Sequence, residues 1–309
     1  GCNKMNLVIV PSEHSKDGFV KTFYEKIQNL SNGKQEKIGE LKLEKPIKVL
    51  FEGSDDNYKP LEIKEISTEF FEMIENKIPE DFSFLFVGQW INYESFANKK
   101  KQPALILKTN GATFSQLDKA DILKKIQFVK DKFPKDWNLP SVYLLHGDLS
   151  KKEMNYLYNH PKIKAMVSFT HGEGFGRPLL EATMTGLPVI ASGWSGQLDF
   201  LDNEKSLLVK GNFEKVSDSI VWKDIIVKGS QWFTVDEASA YKAFNYAFKN
   251  KYDIKRAAKS LMNINKIVTP FINQIPTEVG LNLPKLKKVN DGAPPKIKLP
   301  KLKKTTEEV

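Results

Sequence analysis

The sequence predicts an α/β protein built on a parallel sheet with helices on both faces. Two observations carry this. Apolar runs of strand length recur at 82–88 (FSFLFVG), 103–108 (PALILK), 141–147 (SVYLLHG), 165–169 (AMVSF), 187–192 (LPVIAS) and 206–211 (SLLVKG). Helix-like stretches at 115–133, 150–159 and 178–185 lie between most of them. Continuous apolar strands alternating with helices belong to a sheet buried on both sides. The crossovers are expected to be right-handed, and ligands of such sheets bind at loops beyond the carboxyl ends of the strands.

Upstream, 6–12 (NLVIVPS) and 47–51 (IKVLF) read as strands, with Ser12 placed to cap the next segment. Phe19, Val20, Phe23, Tyr24, Ile27 and Leu30 fall at helical spacing, which predicts a helix over 15–30. Residues 61–77 resemble an amphipathic helix, and 236–262 form a further helical region. The last stretch is lysine- and proline-rich and contains LPKLKK twice, the composition of a disordered tail. The expected organisation is 1–80 as one part, 81–268 as the sheet domain, and 269–309 as the tail.

A length of 309 residues suits about two domains. The net charge is +9. Eight lysines against Asp291, Glu307 and Glu308 put +5 of it in residues 281–309, so total charge gives little support to nucleic-acid binding. The basic tail could tether the chain to an acidic surface. No run of about 18 apolar residues is present, and no charged-then-apolar leader is visible. Gly1-Cys2 reads as a fragment boundary rather than a lipoprotein start. With Cys2 the single cysteine, a reducing, cytoplasmic setting is expected.

The stretch that carries chemistry is 171–196, HGEGFGRPLLEATMTGLPVIASGWSG. Gly172, Gly174 and Gly176 let backbone approach a ligand. Pro178 suits the first turn of a helix, so the loop delivers a helix N-terminus, a ready site for a diphosphate. Arg177 can add charge-assisted bonds. Glu181, one turn into the helix, can accept from paired ribose hydroxyls, and Glu173 from hydroxyls at the ligand's other end. On the same edge stand Lys108, Asn110 and Gly111, candidates for phosphate or base, and His146, a candidate for base or sugar. Ser195 and Gly196 are candidates for binding phosphate through backbone amides. His171 could reach sugar or acceptor. His14 reads as a surface residue.

The motif EGFGRPLLE, then ATMTGLPVIAS and SG, resembles the signature of retaining nucleotide-sugar glycosyltransferases of the GT-B fold, closest to family 4 (glycosyl transferases group 1). Seven residues separate the two glutamates, as in that family. VYLLHGDLSKKEMNYLYNHPKIKAMVSF, FSFLFVGQW, NLVIVPSEHSK and KVLFEGSDD extend the likeness over roughly 6–265. The resemblance implies a Rossmann-like donor-binding domain at 81–268 preceded by a partial acceptor-domain remnant at 1–80. It implies Glu173 as the catalytic carboxylate on the donor sugar and Glu181 on the ribose. Gly174, Phe175 and Gly176 would be the loop against sugar and phosphates. It implies a metal-independent hexosyltransferase-like enzyme with no cofactor, a UDP- or GDP-sugar as co-substrate, and an unknown acceptor.

Two departures qualify this. Only about 80 residues precede the donor domain, so most of an acceptor domain is absent from the chain, and a separate one is a possible partner. Gln89 also stands where the family has a basic residue, and 89–102 leaves room for only a short helix. A non-catalytic nucleotide-sugar-binding module, or half of a split enzyme, is therefore the alternative. A dinucleotide oxidoreductase is disfavoured, because GEGFG has G-x-G-x-G spacing and lies late in the sheet.

Overall fold

The computed structural model describes residues 1–30, 33–54, 56–87, 96–109, 115–201, 206–222 and 226–250, all within one compact unit, Gly1–Gln274. Gly88, Gln89, Asn110, Gly111, the far end of the 236–262 helix and the lysine-rich tail lie outside the described residues.

Six strands form the central sheet: β5 (Ser83–Phe86), β6 (Ala104–Lys108), β7 (Val142–Leu145), β8 (Ile163–Ser168), β9 (Val189–Ser192) and β10 (Ser206–Val209). Their order is β10-β9-β8-β5-β6-β7, every pairing parallel. The chain moves outward from β5 to β7, then returns to place β8 on the other side of β5. That reversal is the topological switch point, where such sheets open a crevice at their carboxyl edge.

Alternation along each strand explains the continuous apolar runs. Leu85, Ala104, Ile106, Ile163 and Met166 join one core, with α2 (Thr68–Glu75), α4 (Lys151–Asn159) and α5 (Arg177–Met184). Phe84, Phe86, Leu105, Leu107, Ala165 and Val167 join the other, with α3 (Gln116–Lys130) and α6 (Glu237–Asn250). Both faces are covered, so neither can be polar. The helices begin where local chemistry allows. Ser115 accepts from the Asp118 amide, and Ser150 with Glu153 forms a reciprocal capping box.

Ahead of this sheet, β1 (Val8–Val10) pairs in parallel with β4 (Ile47–Val49) as a two-stranded sheet. Between them, α1 (Glu13–Lys21) is capped by Ser12, whose Oγ accepts from the Ser15 amide at 3.0 Å. The helix stops there. The 15–30 helix expected from spacing is instead α1 followed by β2 (Phe23–Asn29), which pairs antiparallel with β3 (Gln35–Lys42). Phe23, Tyr24 and Ile27 are exposed on that ribbon, so their spacing reported no buried helical face. The 61–77 helix is likewise shorter: a 3-10 turn at Ile63–Glu65, then α2. A second antiparallel hairpin, β11 (Gly211–Lys215) with β12 (Gln231–Val235), comes after β10 and was not foreshadowed by any apolar pattern in the sequence.

Met166 is fully buried in central β8 and belongs to the core against α4 and α5. Met166→Ala should cost about 2–5 kcal/mol in denaturant unfolding, the usual toll of a cavity. A loss below about 1 kcal/mol would mean the neighbours collapse into the space.

Candidate active site

The glycine loop leaves β8 at the switch point and ends in α5. Gly176, at φ +93°, forms the N-cap of α5 with no side chain capping it, and Pro178 occupies the first turn. A left-handed residue there favours glycine. Phe175 is buried, its ring 5.1 Å from Phe200 and 6.1 Å from Phe51. Its role in this structure is to anchor the loop from below.

The loop is also held from behind by the turn after β9. Ser195 Oγ accepts from the Glu173 amide at 2.7 Å, and the Gly196 amide donates to the Glu173 carbonyl at 3.0 Å. Gln197 is fully buried; its amide nitrogen donates to the Ser192 carbonyl at 3.0 Å, and its oxygen lies 2.9 Å from Ser195 Oγ. Ser195 has φ +76°, a costly conformation for a residue with a side chain. At Gly196 a Cβ would sit 2.2 Å from the Gly174 carbonyl oxygen. Since the Gly196 amide is already bonded to Glu173, Ser195 and Gly196 here position the Glu173 loop.

Glu181 is only 8% exposed on α5. Its Oε1 accepts from Arg177 Nε at 3.2 Å, and its Oε2 from the buried Tyr158 hydroxyl at 3.3 Å. Burial pushes its pKa above the ordinary carboxylate range, opposed by the Arg177 charge and by hydrogen bonds from Tyr58, Tyr158 and Arg177. Glu173 is half-buried, and burial raises its pKa too. Two desolvated carboxylates thus flank an uncapped helix N-terminus, whose dipole end favours an anion.

Across the switch point, Lys108 ends β6. Its ammonium donates to the Gly147 carbonyl at 2.6 Å, and burial lowers its pKa against the attraction of Asp148. His146 Nε2 lies 2.9 Å from Asp118 of α3. These residues form two pairs of their own, on the edge of the sheet that also bears the glutamate loop. His171 Nδ1 lies 2.8 Å from the Phe233 carbonyl and its ring stacks on Trp232 at 4.8 Å, which ties it to the second hairpin. Among the described residues, no three His, Cys, Asp or Glu side chains gather as a metal would require.

Several residues at the site carry no signal in the sequence. His14 is half-buried, its ring edge-on to Trp194 at 4.8 Å, and both border the Glu173 loop. Asp199 Oδ2 accepts from the Glu13 amide at 2.9 Å, and Ser15 Oγ donates to the Gly174 carbonyl at 3.4 Å. The start of α1 is therefore docked on the loop. Tyr58 and Tyr158 are equally silent in the sequence, because each acts through a partner distant in the chain. Gln197 is silent too, although its partners Ser192 and Ser195 are near in sequence.

Residues 135–223, which contain His146, Glu173, Arg177, Glu181, Ser195 and Gly196, match the family model described as Glycosyl transferases group 1. The chain is similar to sucrose-phosphate synthase from Thermosynechococcus elongatus, at 15% identity and a TM-score of 0.56, over 88% of this chain and 58% of that one. It is similar to Anabaena Alr3699/HepE in complex with UDP and glucose, at 13% identity and a TM-score of 0.56, over 88% and 63%. This is a GT-B glycosyltransferase fold. A third GT-B neighbour, alpha,alpha-trehalose 6-phosphate synthase from Burkholderia multivorans, aligns at 10% identity and a TM-score of 0.51, over 88% and 58%. The chain thus spans about three-fifths of the length of these structures. No curated protein sequence matches it.

This geometry is open to two tests. Gly196→Ala should lower stability by about 1–3 kcal/mol or more, since the added methyl meets rigid backbone. Gly172→Ala, whose Cβ would meet nothing nearer than 3.8 Å, should melt close to the parent. Equal melting of the two variants would refute the close contact. The second test concerns Glu181. A folded-state pKa above the unfolded one means the folded chain holds the proton to higher pH, so stability falls as pH rises through that interval. Glu181→Gln stays neutral. Its Tm relative to the parent should therefore climb as pH rises from the ordinary carboxylate range upward. A difference that is flat or shrinks with pH would contradict burial as the dominant influence.

Proposed function

We propose that this chain binds a nucleotide-sugar donor at the β8 and β9 loops and serves transfer of its sugar to an acceptor, with retention at the anomeric carbon and without a metal. The observation that carries this is the pair of desolvated carboxylates, Glu173 and Glu181, set about the uncapped N-terminus of α5. Glu181 orients the ribose hydroxyls, and Glu173 contacts the sugar. The helix N-terminus and the exposed Arg177 guanidinium stabilise the charge that develops on the departing diphosphate. Exposed Gly174 keeps the approach free of a side chain, Gly176 supplies the left-handed turn into α5, and Lys108 and His146 line the other side of the crevice. Asn110, outside the described residues, is included for its sequence position after β6 alone. The Anabaena neighbour is in complex with UDP and glucose, and a UDP- or GDP-sugar is the donor class proposed here.

No helix among the described residues is long and apolar enough to cross a membrane. A cytoplasmic setting rests on the single cysteine. An acidic surface is the natural partner of the basic tail.

A second reading is favoured by one observation. The β1–β4 sheet has only two strands, and Ile9 between its two buried valines is exposed, whereas parallel sheets are covered on both faces. In this reading a separate α/β acceptor domain completes the enzyme, and the chain alone binds donor without turning it over. Robust sugar transfer by the chain alone would remove it.

The test is thermal melting with UDP, GDP, ADP and their sugar conjugates. A ligand at about 100 times its Kd stabilises by roughly 2.7 kcal/mol. One nucleotide should raise Tm selectively, and Glu181→Ala should abolish the rise. No shift with any of them would refute the donor site.

A further inference from the structure

The β2–β3 hairpin is not needed to hold the central sheet, yet it carries a run of exposed apolar side chains. Tyr24 and Leu41 are paired directly across it and are 65% and 44% exposed. Phe19, on the last turns of α1, is 41% exposed, and Leu43 comes just after β3. These four side chains share one cleft of about 710 Å³, whose opposite wall is the glycine loop with Glu173, and into whose border His14 projects from α1. A cleft of that size, mostly apolar with a few convergent polar groups, has the form of a small-molecule site. Glu173, His14 and Ser15 are polar groups at the glycine-loop end, while the four apolar side chains come from α1 and the hairpin, beside Asn3, Thr22 and Lys42. The cleft therefore combines a carboxylate at one end with an apolar wall on α1 and the hairpin.

We propose that this cleft is the acceptor site, and that it takes a small amphipathic acceptor: a hydroxyl-bearing polar head at Glu173 and His14, and an alkyl or aryl body against Phe19, Tyr24, Leu41 and Leu43. This rests on the donor reading above, because a cleft that opens on the Glu173 loop is an acceptor site only if that loop holds the donor sugar. The apolar wall sets the class. A plain sugar acceptor would leave the four hydrophobic side chains in water, whereas an alkyl or aryl body removes them from it, the favourable term in such binding. His14 has the placement of a positioning residue for the acceptor hydroxyl, since it lines the cleft beside Glu173 with its ring edge-on to Trp194 at 4.8 Å.

Cys2, the single cysteine of the chain, lines the same cleft and is partly accessible. It provides a reporter that requires no donor. The experiment measures the rate of Cys2 alkylation by iodoacetamide with n-octyl β-glucoside, below its micelle-forming concentration, and with glucose. Octyl glucoside should slow alkylation several-fold and glucose should not. Phe19→Ser and Leu41→Ser replace exposed side chains, so both should fold, as melting will verify, and both should lose most of the protection. Leu117→Ser, an exposed apolar residue on α3, should keep it. No protection by octyl glucoside, equal protection by glucose, or full protection in both folded variants, Phe19→Ser and Leu41→Ser, would overturn the proposal. A nucleotide-dependent Tm shift without Cys2 protection removes the acceptor cleft alone. Protection without any nucleotide shift supports the cleft's preference for an amphipathic ligand but removes the donor reading, and with it the acceptor role.

Discussion

The site depends on one close contact between two turns. The backbone after β9 presses on the backbone after β8, with the Gly196 amide on the Glu173 carbonyl and no room for a side chain at 196. Ser195 takes an unfavourable positive φ to make this possible, and its hydroxyl closes on the Glu173 amide. Such strain persists only where the surroundings over-determine it. Buried Gln197 does so, tying the turn back to the end of β9 through Ser192. The loop that carries Glu173 is therefore a rigid object, although it is glycine-rich. Glycine here serves close approach, and stiffness comes from the neighbouring turn.

Against that rigid loop, the two carboxylates have different standing. Glu181 is nearly enclosed, with Arg177 on one oxygen and Tyr158 on the other. A buried carboxylate in a helix that faces the core is a poor choice for stability alone, since burial disfavours the charged form. Its partners recover part of that cost and also fix the direction of its oxygens. Glu173 is more open and borders the cleft. One carboxylate is fixed in direction by its partners, and the other remains accessible from the cleft.

The sheet was legible because its strands are buried on both faces, which leaves continuous apolar runs such as 82–87 and 187–192 with no competing pattern. The glycine loop and Pro178 were legible because each answers a local backbone demand. The β2–β3 hairpin was not. Phe19, Phe23 and Ile27 fit helical spacing, while Phe23, Glu25 and Ile27 alternate equally well, and spacing alone does not decide between them. The dipeptide Asn32-Gly33 was the available hairpin signal, and Gly33 indeed has φ +78°. Tyr158 and Asp199 stayed hidden for another reason. Each matters through a contact made only when distant segments meet, and single-chain periodicity holds no record of such contacts. His14 belongs with them: its neighbour Trp194 is 180 residues away.

The loop has a front as well as a back. Ser15 reaches the Gly174 carbonyl, and Asp199, three residues beyond Gly196, accepts from the Glu13 amide at the start of α1. The first turn of α1 thus has its free amides satisfied from two sources, Ser12 of its own segment and Asp199 of the sheet domain. The turn that clamps Glu173 from behind is the turn that anchors α1 in front. Phe19 and the β2–β3 hairpin extend from the far end of that same helix. The wall of the cleft and the Glu173 carboxylate are therefore referenced to one short piece of chain, 195–199, with α1 carrying the wall away from the loop.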